Sequence, residues 1–386
     1  MKEGWTTKKL GEIGTFERGG GFLKNDYVQN GYPCLHYGQI HTILGVATSK
    51  HLTCIPESLA KSKSKIAKTG DVILAITSED VEGSCKCTAW IGDYDIAVGG
   101  HTAIFHHSLN PFFVSYYFRG RHFQKAKERY THGFKVVEIK PSDISTIDIT
   151  YPPLAEQERI VAELDLLTEI IDKQKAQLKE LDTLAQSIFY DMFGDPVENK
   201  KGWVVEKLKT VAPQKSYQGC VPNVGGKYWL LNLDKVAQQT GVVVEKMLFD
   251  KADIGNSTIA FDTTNVLYSK LRPYLNKVVI PDSIGYGTSE FVPLQPKSNI
   301  LNRIFFANLL RSKPFVDYIS IKVAGAKMPR VSMDVLRDYY VIIPPLSLQQ
   351  SFADKINVIE QQKAAITQSI AETQKLFDYT MDKYFG

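Results

Sequence analysis

Tyr151-Pro152-Pro153-Leu154-Ala155-Glu156-Gln157 opens a run of helical character that closes on Tyr190-Asp191-Met192-Phe193-Gly194. Ile343-Pro344-Pro345-Leu346-Ser347-Leu348-Gln349 opens a second, which closes on Asp382-Lys383-Tyr384-Phe385-Gly386. Both ends of the two runs lie 192 residues apart, so no gap separates the copies. About 40 residues of helix make a rod of roughly 60 Å. Apolar residues in the first run fall at Ile160, Leu164, Leu167, Ile171, Leu178, Leu181, Ile188 and Met192, with Gln174 and Ala185 as weaker positions. The same register in the second gives Phe352, Ile356, Ile359, Ile366, Ile370, Phe377 and Tyr384, interrupted by Lys363, Thr373 and Thr380. Steps of four and three form a heptad seam, which buries a stripe of each helix against a partner. The prolines suit helix starts, where their missing N–H would have no partner anyway. Two rods of one length and one register predict antiparallel pairing with each other. The alternative is that each packs on its own globular domain as an ordinary amphipathic helix.

The segments between the rods also repeat in order. Trp5…Lys9-Leu10 is matched by Trp203…Lys207-Leu208, and turn-rich stretches follow, Arg18-Gly19-Gly20-Gly21-Phe22 and Tyr217-Gln218-Gly219-Cys220. A β-rich run comes next in each half, Gly70 to Ala75 and Thr264 to Ser269, then a helical stretch, Phe112 to Tyr130 and Ile304 to Ile319. Each half finishes on an alternating strand, Ile144, Ile147 and Ile149 against Leu336, Tyr339 and Val341. The order is shared while the residues between differ, as when one fold is fitted to two ligands. The expected class is α+β: two mixed α/β domains joined by two long antiparallel coiled-coil helices, a duplication with pseudo-twofold symmetry.

The chain has 386 residues and a net charge of +4. Residues 154–193 carry 4 Lys and Arg against 9 Asp and Glu, and residues 346–386 carry 4 against 5. The rods are therefore acidic and the globular parts basic, the split expected if the globular parts meet a polyanion. No apolar run approaches the ~20 residues that span a bilayer, and the start shows no apolar signal segment. Five cysteines, an odd number, predict free thiols in a reducing compartment, and a cytoplasmic location follows.

The paired Pro-Pro-Leu…Gln helix starts, the two Phe-Gly ends and the two Trp…Lys-Leu openings resemble the specificity subunit of type I restriction–modification systems. The second half also resembles a target-recognition domain of that family through Tyr268-Ser269-Lys270-Leu271-Arg272-Pro273-Tyr274, Gly287-Thr288-Ser289-Glu290-Phe291 and Lys327-Met328-Pro329-Arg330-Val331-Ser332. The resemblance implies target-recognition domains over residues 1–151 and 195–343, a central spacer helix over 152–194 and a C-terminal spacer helix over 344–386. It further implies a non-catalytic, DNA-binding chain that reads an asymmetric bipartite target. Two methyltransferase subunits carrying S-adenosylmethionine, and motor–endonuclease subunits, are the implied partners; no cofactor is expected in this chain.

Catalytic signatures are missing. Asn110-Pro111-Phe112-Phe113 is similar to an amino-methyltransferase motif but lacks its second proline, and no phosphate-binding Gly-x-x-x-x-Gly-Lys-Ser/Thr loop occurs. Glu138-Ile139-Lys140 lacks the Pro-Asp of a nuclease signature and reads as a solvated strand edge. Cys85-x-Cys87 with His101, His106 and His107 has poor spacing for structural zinc. Gly325 to Arg330 is the leading DNA-contact loop: Lys327 and Arg330 suit guanine or phosphate, and Met328-Pro329 supplies a stiff apolar surface. Lys270, Arg272 and Tyr274 form a second cluster, with surface salt bridges or core packing as the alternative for all five. In the first half, His132-Gly133-Phe134-Lys135 is the equivalent loop, so Lys135 is the candidate there, with Arg18 and Lys24 behind it. All eight histidines precede residue 133, and His101 or His132 is a further candidate for DNA contact. A scaffold joining two protein-binding domains without DNA remains the competing reading.

Overall fold

The computed structural model describes residues 4–133, 136–255, 257–325 and 327–386 and divides into two units. The first comprises the chain up to Lys173 together with Ser369–Gly386, and the second comprises Gln174–Gln368. Both boundaries fall inside the long helices Leu154–Phe193 and Leu346–Phe385, each 40 residues long.

In the first unit a four-stranded sheet runs in the order Thr53–Ile55, Tyr32–Leu35, Ile96–Val98, Lys65–Ala67, with the central pair parallel. The second unit repeats this order as Leu248–Asp250, Lys227–Leu231, Gly285–Thr288, Thr258–Phe261, again with a parallel central pair. A second sheet in each unit places the expected β-rich run next to the strand that precedes the helices. Val72–Ala75 pairs antiparallel with Thr102–His107, and Val266–Ser269 pairs antiparallel with Phe291–Leu294. The opening motifs act as clasps. Thr6–Lys9 pairs with Asp148–Tyr151, and Val204–Lys207 pairs with Tyr340–Ile343, so each unit's first strand holds the strand that leads into its long helix. Leu10 and Leu208, the next residues, are fully buried.

Each expected helical stretch is two helices, Pro111–Arg119 with Arg121–Lys127, and Arg303–Arg311 with Lys313–Ser320. Both breaks have an extended residue between the helices, Gly120 and Ser312, and glycine is required at the first because a Cβ there would collide with Phe385 at the end of the second long helix. Ile144 likewise ends the short helix Pro141–Ile144, and the strand proper begins at Asp148.

The heptad seam serves two purposes at once. Within the first unit, Ile160 and Leu164 share a core with Phe377, Met381, Tyr384 and Phe385 and with Phe113 and Tyr116 of the globular layer. Within the second, the seam residues Ile188 and Met192 pack against a core that holds their neighbours Phe189 and Phe193 with Phe352, Ile356 and the globular Phe305. The start of one helix thus meets the end of the other in each unit, an antiparallel arrangement, and the same residues complete the domain cores. Lys363, read as an interruption, is an interhelical link: its ammonium lies 2.8 Å from Asp182 and 2.9 Å from Glu360, with the side chain 14% exposed. Thr380 is buried. The Phe-Gly end of the first helix is a glycine cap: Gly194 has φ +73°, which an L side chain rarely adopts, and donates to the Tyr190 carbonyl at 2.8 Å.

The two Pro-Pro-Leu…Gln starts have one explanation. Gln157 is buried, accepts from the Asn110 backbone N–H at 2.9 Å and donates to the Pro152 carbonyl at 2.8 Å. Gln349 repeats this with Asn302 and Pro344, both at 2.8 Å. Asn110 and Asn302 are themselves helix N-caps, each side chain accepting from two backbone N–H groups. The Asn110-Pro111 pair is therefore a cap followed by proline in the first turn, a structural device.

Candidate nucleic-acid interface

The strand Val266–Ser269 delivers the chain into the segment Lys270 to Asn276. Arg272 and Asn276 there take left-handed φ values of 47° and 50°, so the segment turns sharply and leaves Arg272 and Tyr274 exposed. A hairpin built from Val323–Ala324 and Arg330–Val331 lies against it. Two backbone hydrogen bonds join the two, Arg272 N–H to Pro329 at 2.8 Å and Val331 N–H to Lys270 at 3.0 Å, and together they set Leu271 opposite Arg330. Lys270, Arg272, Tyr274, Lys327 and Arg330, proposed from two separate stretches of sequence, are therefore carried by two adjoining segments of the second unit. Lys327 is exposed, as are Met328 and Tyr274; Lys270 is half-buried.

Arg330 is not a free cation. Its Nε and Nη2 grip Glu290, with Nη2 to Oε1 at 2.7 Å and Nε to Oε1 at 3.1 Å. The guanidinium holds the Glu290 carboxyl below the usual carboxylate range. Glu290 was missed in reading the sequence for contacts, although it stands in one of the three motifs that carried the resemblance. Its partner is 40 residues away, and only the fold brings them together.

The first unit builds the corresponding face from Val137–Glu138, which pairs with Thr77–Ser78. Glu138 is exchanged with His132 through two backbone hydrogen bonds of 3.1 and 2.9 Å. Arg18, at the end of the strand Gly14–Arg18, places Nη2 2.8 Å from Glu138 Oε1 and keeps its side chain half-exposed. The fold thus joins Arg18 to this hairpin. Lys24 sits exposed in the short turn Lys24–Asp26 and is linked to neither. Lys135 lies outside the described residues. A cleft beside the hairpin is lined by Tyr37, His41, His101, Ser78, Lys86 and Val136, with the Tyr37 ring 5.1 Å from His101. Tyr37 and Lys86 carried no motif and were not anticipated.

The Cys85–Cys87 segment is core. Burial pushes the Cys85 thiol up to about 12 and raises that of Cys87, so both stay protonated, the opposite of what a metal-bound thiolate needs. His106 is taken up by Asp71 at 2.9 Å, and His107 is half-buried with its ring against Phe105. Among the described residues no three His, Cys, Asp or Glu side chains converge as metal ligands, no cysteine is disulfide-bonded, and no helix is long and apolar enough to cross a membrane.

Residues 2–183 match the family described as the type I restriction modification DNA specificity domain. The chain is 23% identical over 222 residues to the specificity subunit of the type I restriction enzyme EcoKI of Escherichia coli (strain K12), covering 56% of this chain and 47% of that one. The chain is thus similar to the specificity subunits of type I restriction–modification systems. It spans about half the length of the curated relatives it matches. The fold agrees with that of the specificity subunit from M. genitalium, with TM-score 0.57 at 12% identity over 99% of this chain and 96% of that one. A chain from a structure of type I complex assembly and conformational transition gives TM-score 0.59 at 18% identity, over 100% and 98%. The likeness to both solved chains runs over nearly the full length, and so covers both units and both long helices.

Proposed function

We propose that this chain is the sequence-reading subunit of a type I restriction–modification complex, with target-recognition domains over residues 1–151 and 195–343. Each domain reads one half of an asymmetric, bipartite DNA target. The observation that carries this reading is the repeated hairpin face, one topology present in both units and furnished with different polar side chains. A symmetric dimer reads a palindrome because its own twofold relates the half-sites. A duplicated and then diverged chain reads two unlike half-sites. The spacer helices, residues 152–194 and 344–386, set the number of unread base pairs between them.

The chain performs no chemistry. Two methyltransferase subunits carry S-adenosylmethionine and flip the target adenines, and motor–endonuclease subunits join them for cleavage. Support for a partner present in two copies comes from the long helices. Leu154 and Leu346 are 54% and 42% exposed, Leu166 and Val358 are 57% and 54%, and Leu184 and Leu376 are 47% and 51%. Each pair is separated by the same 192 residues as the helices themselves, so one apolar docking pattern occurs twice. The complex works in the cytoplasm, where its DNA is.

The test is binding of the chain, assembled with its methyltransferase subunits, to duplex DNA across a range of salt concentrations. A steep fall of affinity with salt is expected, because several lysines and arginines displace counterions from phosphates. A flat dependence, or no binding by the assembled complex, would favour a protein scaffold that does not touch DNA.

A further inference from the structure

Arg330 and Glu138 occupy one position of the fold. Their hairpins share a glycine with positive φ, +108° at Gly133 and +98° at Gly325. Ile139 N–H donates to Ile76 at 3.0 Å as Val331 N–H donates to Lys270 at 3.0 Å. Ile76 N–H donates to His101 at 3.0 Å as Lys270 N–H donates to Glu290 at 3.0 Å. Glu138 bridges Thr77 as Arg330 bridges Leu271. The backbone frame is therefore the same at these bonds, with the charge reversed at its centre: a guanidinium in the second unit and a carboxylate in the first.

We infer that Arg330 and Glu138 are the matched specificity-determining residues of the two units. Arg330 reads a guanine, and Glu138 reads a base that offers an exocyclic amino group, cytosine or adenine. This inference rests on the DNA-reading function proposed above.

Glu290 occupies the Nε–Nη2 side of Arg330, and the Met328 carbonyl takes one Nη1 hydrogen in a long 3.5 Å contact, so the second hydrogen of Nη1 and the outer hydrogen of Nη2 remain for the end of the fork. Two parallel donors at that spacing match guanine O6 and N7 in the major groove. Glu290 is thus a positioning residue, fixing a side chain that would otherwise have to be ordered on binding. The other hairpin obeys the opposite logic. A carboxylate on a DNA-facing surface is repelled by phosphates, so its favourable contacts are base amino groups, which donate. Arg18 holds Oε1 of Glu138 at 2.8 Å and leaves Oε2 to accept. The same salt bridge offsets part of the repulsion from the backbone of the duplex.

Both side chains are 42% exposed, so Glu138→Gln and Arg330→Gln should leave the units folded. The experiment maps adenine methylation made by the complex of this chain with its methyltransferase subunits, for the original chain and each variant. Arg330→Gln is expected to cost about 10- to 100-fold of preference for guanine at one position of one half-site, leaving the other half-site and the gap intact. Glu138→Gln is expected to change one position of the other half-site alone. Glu290→Gln, which frees the guanidinium without removing it, is expected to blur the position that Arg330→Gln blurs; a merely structural ion pair would leave the motif as it was. An unchanged motif in the glutamine variants overturns the inference. So does uniformly weaker binding with a salt slope reduced by about one, the mark of a phosphate contact. If the unaltered, assembled complex marks no bipartite motif, the DNA-reading function itself fails, an outcome distinct from an unmoved motif in the variants.

Discussion

The Gln349 side-chain carbonyl accepts the Asn302 backbone N–H at 2.8 Å, and Gln157 does the same for Asn110 at 2.9 Å. Each glutamine opens a long helix, and each asparagine caps the helix Arg303–Arg311 or Pro111–Arg119. One side chain therefore ties the start of a spacer helix to the core of its unit, with no water needed, since Gln349 is fully buried.

Replacing Gln349 with leucine would leave the Asn302 N–H and the Pro344 and Ile300 carbonyls without this partner. An unsatisfied buried polar group costs about 1–3 kcal/mol, so the second unit should lose about 2–4 kcal/mol. Amide exchange in Val266–Ser269, a central strand of that unit, measures it against urea. Protection unchanged from the original chain would contradict the clasp. Gln349→Glu should be comparably harmful, because both carbonyls would then face a carboxylate.

The first unit should weaken in mild acid. Burial lowers the His107 imidazole to about 4, whereas an unfolded histidine takes up its proton near about 6.5. The folded value is the depressed one, so the stability it contributes is complete above about 6.5 and is lost as pH falls toward about 4. The gap allows a loss of at most about 3 kcal/mol. Denaturation of the original chain and of His107→Phe, followed by exchange in Thr102–His107, should show a smaller pH dependence in the variant. Identical losses in the two proteins between neutral pH and pH about 4.5 would assign the acid sensitivity elsewhere.

Spacer length should follow helix length. Removing one heptad at matched positions of both long helices, residues 172–178 and 364–370, keeps the seam in register and shortens each by about 10 Å, roughly three base pairs. The methylated motif should then carry a narrower gap between unchanged half-sites. A gap of the original width would remove the helices from the role of ruler.

The long helices were legible in the sequence because a heptad pattern and its boundary residues are local signals, and the copy at a fixed offset doubled each of them. The pairing of the two helices with each other followed from their equal length and register. Lys363 was misread as a break because its carboxylate partner, Asp182, belongs to the other helix. Each single helical stretch concealed a break, at Gly120 and Ser312, and the contact that demands glycine at 120, with Phe385, arrives from the far end of the chain. Sheet order was beyond reach, since strands such as Tyr32–Leu35 and Ile96–Val98 are short and pair across long loops. At the candidate interface, residue type and the flanking glycine led to Arg330 and Lys327. Glu290, Tyr37 and the equivalence of Glu138 with Arg330 depend on hydrogen bonds between segments that no spacing rule connects.

The most direct test of two readers in one chain is to sequence the adenine methylation of a genome in which this chain is co-expressed with its methyltransferase subunit. The account predicts one new motif, made of two unlike half-sites around a fixed unread gap. A palindromic or single-block motif, or no motif from a complex shown to assemble, would contradict it.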